Sequence, residues 1–132
     1  MGTSEEMLRP VAMVFFEFDP KNPKQVGQMM IIREIWDING NGTWRLPDGT
    51  PAFLNPMVSG LQVNEVTGVV SCDIELSLNG VVVSYTQQRA FKEMIRNILH
   101  KLNERFKEYS YGHHIELKFV FESPGRESIC SN

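Results

Sequence analysis

The sequence predicts an α+β domain, with an antiparallel sheet of about five to six strands, one long amphipathic helix packed on it and a final strand after the helix. Two segments, 70–78 and 114–122, alternate apolar and polar residues with the period of a half-buried strand. Between them, residues 86–109 place apolar side chains at steps of three and four and contain no Gly or Pro, as one helix face requires. Laying this helix across the sheet covers the apolar faces of both.

The N-terminal half is predicted as a series of strands. Residues 11–18 are rich in β-forming residues and end at an Asp-Pro turn signal. Residues 28–36 (QMMIIREIW) fit either a buried helix or a strand, and their β-branched residues, short length and flanking glycines favour a strand. Asn-Gly pairs predict a turn over 37–42 and a short return strand over 43–46. The prolines in 50–66 predict an irregular segment with a short strand around 57–63.

The second half is predicted from turn and capping signals. Asn79-Gly80 lies between two β-rich runs and predicts a hairpin from strand 70–78 to a strand over 81–85. Ser84, with Gln87 three residues later, has the spacing of a capping box at the start of the long helix. Gly112 is placed to stop that helix.

Composition indicates one folded domain. The chain has 132 residues, of which 42% are hydrophobic and 22% are charged, close to globular averages. We expect a single domain over 10–123, a loose N-terminus over 1–9 and a flexible tail over 124–132. Two cysteines are too few for a small disulfide-stapled secreted domain, and neither a signal peptide nor an apolar run of ~20 residues is present. These features predict an intracellular protein, cytoplasmic or nuclear, without a transmembrane segment.

The N-terminal strands carry more apolar side chains than one helix can cover. Strands that are apolar on both faces need a second cover, which another copy of the chain or a protein partner supplies. The sequence therefore predicts a non-catalytic interaction or assembly module, a homo-oligomer or a partner-binding protein, with its interface at Phe15, Phe16, Ile31 and Trp36. The alternative cover is the irregular segment 47–66.

The long helix suggests a second function, binding to nucleic acid or an anionic surface. It holds six basic and three acidic residues, a net charge of +3 in a chain whose net charge is -3. A basic helix face attracts phosphates, although most charged helix faces are only solvated. The candidate contacts are Arg89, Lys92, Arg96, Lys101 and Arg105.

Two further patterns point to chemistry. His114 and Glu116 share one face of the last predicted strand and fit an acid-base pair, but no nucleophile motif or phosphate loop accompanies them, so an enzyme is the third hypothesis. A calcium-loop spacing is formed by Asp37, Asn39, Asn41 and Asp48. Because Arg45 puts a positive charge inside this loop and Pro47 opposes an exit helix, a hairpin loop is favoured, and we predict no metal and no cofactor.

Overall fold

The computed structural model describes residues 7–40, 43–46, 49, 51–107 and 110–123. Residues 1–6 of the predicted loose N-terminus and the whole predicted tail, 124–132, lie outside this range. The elements are, in chain order, β1 (Arg9–Pro20), a 3-10 turn (Pro23–Gln25), α1 (Gln28–Ile38), β2 (Thr43–Arg45), β3 (Pro51–Val63), β4 (Val70–Leu78), α2 (Tyr85–Lys107) and β5 (Ser110–Glu122).

All strands pair antiparallel in the order β2-β3-β4-β1-β5. Four strands are long, and β2 is a three-residue strand that pairs only with the first residues of β3. Without β2, the elements follow the β-α-β-β-α-β order of ferredoxin-like domains. The predicted α+β class and antiparallel sheet are confirmed, whereas the predicted strand count and single helix are matched only roughly.

Both helices pack on the same face of the sheet, called the covered face below. One core cluster joins Ile31 and Ile35 of α1 to Phe91 and Ile95 of α2 and to alternate residues of the strands. At its centre the ring of Phe16 stacks on that of Phe18, with centroids 4.8 Å apart, and both rings contact Phe106 of α2. These rings fix where α2 crosses β1.

The prediction of a strand over 28–36 is wrong, because this segment forms helix α1. Its fully buried residues, Ile31 and Ile35, are four positions apart and lie on one helix face. Met29 and Trp36 point away from the core and are 54% and 42% exposed. The helix begins after Gly27, which offers no side-chain cap, so the usual sequence signal of a helix start is missing.

The predicted hairpin at Asn79-Gly80 is also wrong. The turn forms, with a positive φ of 62° at Gly80, but the chain beyond it does not pair with β4. Both edges of β4 are already occupied, by β3 and by β1. Residues 81–84 instead make a single bridge, in which Val83 and Leu8 exchange two backbone hydrogen bonds of 2.7 and 2.8 Å.

The segment predicted as irregular, 50–66, is mostly the 13-residue strand β3. Pro56 pairs with Leu76 on one side of β3, while β2 reaches only as far as Phe53 on the other. Pro56 therefore lies in an edge strand, where a missing amide proton is tolerated. The alternative that 47–66 folds over the second face of the sheet is not what the described residues show, because 51–63 extend the sheet itself.

Helix α2 was predicted closely. The Ser84 amide donates to Oε1 of Gln87 at 2.8 Å, and the Gln87 amide donates to Oγ of Ser84 at 3.4 Å, which completes the predicted capping box. The helix extends to Lys107, and residues 108 and 109 lie outside the described range. Gly112, predicted to stop the helix, lies within β5.

Candidate interaction surface

The second face of the sheet, called the open face below, lies opposite both described helices. Four strands contribute alternate residues to it, and most of these are exposed or half-buried, whereas Val11 and Ser77, which share one row, are buried. Its members are Val11, Met13, Phe15 and Glu17 of β1, Phe53, Asn55, Met57 and Ser59 of β3, Ser71, Asp73, Glu75 and Ser77 of β4, and His114, Glu116, Lys118 and Val120 of β5.

Three large apolar side chains are exposed on the open face. Met13 is 48% exposed, and Met57 and Phe53 are each 55% exposed. Glu75 pairs with Met57 on one side and with Met13 on the other, so the two methionines belong to one row across three strands. Phe15 adds a half-buried ring in the next row. The strands thus present adaptable apolar surface to solvent, with Met13 on the inner strand β1 and Phe53 and Met57 on β3.

Acidic side chains surround this apolar surface. Phe15 lies between Asp73 and Glu116 in its row, and Glu17 lies one step further along β1. With Glu75, four carboxylates lie beside these apolar side chains, and a fifth, Glu122, lies further along β5. The cations of the open face are Lys118, in the row of Met13, and Arg9, in the row of Glu122. The open face therefore attracts cationic groups and repels phosphates.

A β-bulge interrupts the pairing of β3 at one end of the open face. The pairing of β3 with β4 shifts between Ser59 and Gln62, where Gly60 has a φ of +60°. A Cβ atom on Gly60 would lie 2.9 Å from Oδ2 of Asp73. This close approach, together with the left-handed backbone, explains why glycine occupies the position.

The four residues predicted as an interface do not share a surface. Phe16 and Ile31 are fully buried in the core between the sheet and the two helices. Trp36 is exposed on α1, and Phe15 is half-buried on the open face, so the sheet separates them. The sequence analysis did not identify Phe53 and Met57 as surface residues. Their buried neighbours between Ala52 and Val58 are also apolar, so the sequence does not show which side chains of this strand face solvent.

The predicted acid-base pair is close but exposed. Nε2 of His114 lies 3.3 Å from Oε2 of Glu116, and these side chains are 59% and 67% exposed. The sequence also allowed Asp73 and Glu75 to join this pair, and they do lie on the same face, but β1 separates β4 from β5. A solvated pair on an open sheet lacks the surroundings that tune acid-base catalysis, so the geometry gives the enzyme hypothesis no support.

Four of the five predicted nucleic-acid contacts have partners within the chain. Nη1 of Arg105 donates to Oε2 of Glu34 at 2.8 Å and to Oδ2 of Asp37 at 2.7 Å, and these bonds raise the pKa of Arg105. Arg89 faces Glu93 at 3.5 Å. Lys92 and Arg96 extend over Phe119, at 5.7 and 5.4 Å from the ring centroid.

Lys101, the fifth, lines an open cavity of about 430 Å³ between α1 and α2 together with Arg45, Asn39 and Glu93. The basic residues of α2 thus link elements of the fold as well as facing solvent. Binding of nucleic acid by this helix stays a prediction.

Two of the four calcium-loop candidates lie within the described residues. Asp37 belongs to α1, where its carboxylate accepts from Arg105, and Asn39 is the C-cap residue of that helix. Asn41 and Asp48 lie outside the described residues. Among the residues that the structure describes, no three His, Cys, Asp or Glu side chains come together as metal ligands.

A second cavity, of about 320 Å³, opens between the end of β1, α1 and the end of α2. Its walls include Val26, Met30 and Phe106, with the Glu34–Arg105 ion pair at one side. Arg105 already donates to two carboxylates, and the other cation of the lining is Lys21.

Cys72 belongs to the covered face, 1% exposed, as its alternation with Asp73 predicted. Burial, assisted by the charge of Asp73, raises the pKa of Cys72 to about 12. The thiol is thus kept neutral and enclosed, and it is a packing residue, unlike the lowered-pKa thiols of catalytic cysteines.

No family model, curated protein or solved structure matches this chain. Within the described residues, every helix is too short or too polar to cross a membrane.

Proposed function

We propose that this chain is a non-catalytic protein-interaction module that binds its partner through the open face of the sheet. The observation that carries the proposal is the row of Met57, Glu75 and Met13 on a sheet face that neither described helix covers. Exposed large apolar side chains on an uncovered sheet face favour a partner that buries them. We therefore assign the interaction surface to Met13, Phe15, Phe53 and Met57, in place of the four residues predicted from the sequence.

The charges of the open face define the partner's chemistry. Glu17, Asp73, Glu75 and Glu116 surround apolar side chains, so a complementary surface is apolar at its centre and basic around it. The same carboxylates disfavour a phosphate backbone on this face. A cationic amphipathic segment of another protein satisfies both requirements.

The dimensions fit one helix of such a segment. Four strands spaced about 4.8 Å apart span about 14 Å, and eight residues of a strand extend about 26 Å. A helix with its side chains is about 10–12 Å wide, and about 17 residues reach the same length. We therefore infer that a single amphipathic helix lies on the open face, along the strands, and places its apolar side against Met13 and Met57.

The test uses a synthetic peptide of about 17 residues built from Leu and Lys with one apolar helix face. Titrated into protein carrying ¹³C-methyl methionine, it is expected to shift the methyl resonances of Met13 and Met57 and to leave that of Met94, which is buried in the core. The double variant Met13→Lys/Met57→Lys is expected to weaken binding at least tenfold, because it removes apolar contact and adds like charge. A peptide with Glu at each Lys position should not bind.

Met29→Lys is the matched control, since Met29 is 54% exposed, like Met57, but lies on α1 away from the open face. An equal loss of affinity in this control, or undiminished binding by the double variant, would overturn the proposal. If the double variant converts a dimer to a monomer in light scattering, the open face binds a second copy instead. Co-purified absorbance at 260 nm that disappears at high salt and in Arg96→Gln/Lys101→Gln would favour nucleic acid on α2.

A further inference from the structure

The outer edge of β5 is a second unoccupied surface, distinct from the open face. β5 pairs with β1 along one side, and in the described part of the chain no strand pairs with the other side. The strand has 13 residues and contains no proline. A long edge with unpaired backbone groups is a template for another strand.

This edge lacks two of the features that usually prevent pairing, a proline and an inward-pointing charge, although Lys118 is a charged residue on its open-face side. Among residues 115–121 the covered-face side chains are all apolar, so no charge points inward. These side chains, Ile115, Leu117, Phe119 and Phe121, are also only partly buried, because α2 does not fully cover the edge. A neighbouring strand would extend the sheet and bury both the backbone groups and these side chains.

We propose that the edge is occupied by β5 of a second copy, paired antiparallel about a two-fold axis at Leu117. In this register Glu116 faces Lys118 of the second copy and Lys118 faces its Glu116, so that two opposite-charge pairs form on the open face. On the covered face Ile115 faces Phe119 of the second copy. The charge pattern of a single strand is therefore complementary to itself.

The alternation of side chains between the two faces of the sheet limits which other registers the two strands can adopt. Facing residues of an antiparallel pair lie on the same side of a sheet, so an open-face residue must face another open-face residue. Registers centred on Glu116 or Lys118 satisfy this condition but place that charge against its own copy. A register centred on Ile115 pairs Glu116 only with His114. The register about Leu117 is thus the favoured one near the middle of the strand.

Pairing over about 11 residues adds about ten backbone hydrogen bonds and joins the two sheets into one. It leaves the open faces of both copies uncovered and side by side. The inference therefore does not depend on the proposed function, and each can fail without the other.

The test is sedimentation velocity of the whole chain across a wide concentration range. Wild type is expected to dimerise reversibly. Glu116→Lys places Lys against Lys twice, and Lys118→Glu places Glu against Glu twice, so each variant is expected to dimerise at least tenfold more weakly. Mixing the two variants restores both opposite-charge pairs, and the mixture is expected to form heterodimers with nearly wild-type affinity. Glu104→Lys, the same charge change at an exposed position of α2, is the matched control and should leave the dimer intact.

If mixing restores dimerisation, both variants are folded, and the weaker dimerisation of each variant alone is not a folding defect. Alternate amides of β5 should exchange more slowly as concentration rises, since the pairing protects them. The proposal is overturned if wild type stays monomeric at millimolar concentration, if the mixture is as weak as the single variants, or if Glu104→Lys weakens the dimer equally.

Discussion

The two faces of the sheet are built from the same strands but differ in what they do. On the covered face, Phe16 and Leu76 are fully buried beneath the helices. On the open face, one residue away along the chain, Phe15 is half-buried and Glu75 lies among solvated charges. The covered face thus supplies most of the stability, whereas the exposed part of the open face, away from the buried Val11 and Ser77, can change its side chains at little cost to folding. This separation is why we look for function on the open face and the β5 edge.

The largest expected effect contrasts two adjacent phenylalanines. Phe16→Ala removes a fully buried ring that stacks on Phe18 and contacts Phe106, and it is expected to lower the free energy of unfolding by about 3–5 kcal/mol. Phe15→Ala, on the open face, is expected to cost about 1 kcal/mol or less. Urea denaturation of both variants measures the difference, and Phe16→Leu serves if Phe16→Ala does not fold. Equal losses would mean that the open face is covered in solution.

The next effect concerns Gly60, at the bulge that ends the regular open face. Gly60→Ala places a Cβ atom 2.9 Å from Oδ2 of Asp73 and keeps a φ of +60°, so we expect a loss of about 1–2 kcal/mol from the backbone and a further loss from the contact. Gly40→Ala is the matched control, because Gly40 has a φ of +59° but no atom within 4 Å of the added Cβ. Thermal unfolding of the two variants separates the contact from the backbone cost. Equal losses would show that Asp73 moves aside freely.

The smallest effect is the pH dependence of stability from Cys72, next to the open-face Asp73. The folded-state pKa of about 12 exceeds the ordinary value of 9.0, so the neutral thiol favours the folded state. This contribution is complete below pH 9 and is lost as the pH rises towards 12, by up to about 1.4 kcal/mol per pH unit. The measurement is urea denaturation at pH 8 and about pH 10, compared with Cys72→Ala. An identical fall in that variant would assign the pH dependence to other groups.

Regular periodicity made part of this fold predictable. β4, β5 and α2 each keep one period over nine or more residues, and each has one apolar face, so local sequence and tertiary packing agree. The capping box at Ser84 and Gln87 even gave the start of α2 to within a residue.

The remaining elements depend on tertiary context. α1 is short and has no side-chain cap. Its exposed Met29 and Trp36 are as apolar as its buried isoleucines, so the apolar pattern of this segment fitted both a helix and a strand. The turn at Asn79-Gly80 forms, but β1 occupies the place that a hairpin strand would take, and β1 is far away in sequence. The candidate site was missed for the same reason, because only the packing of both helices shows which face of the sheet stays uncovered.

The central position of β1 has a consequence for how the protein is made. Val11 pairs with Val120, 109 residues later, so β1 leaves the ribosome long before its second partner strand exists. At synthesis rates of about 5–20 residues per second this interval lasts roughly 5 to 20 s. During it, the apolar side chains of β1 have no completed sheet to enter. The sheet can therefore close only after residues 110–122 have been synthesised.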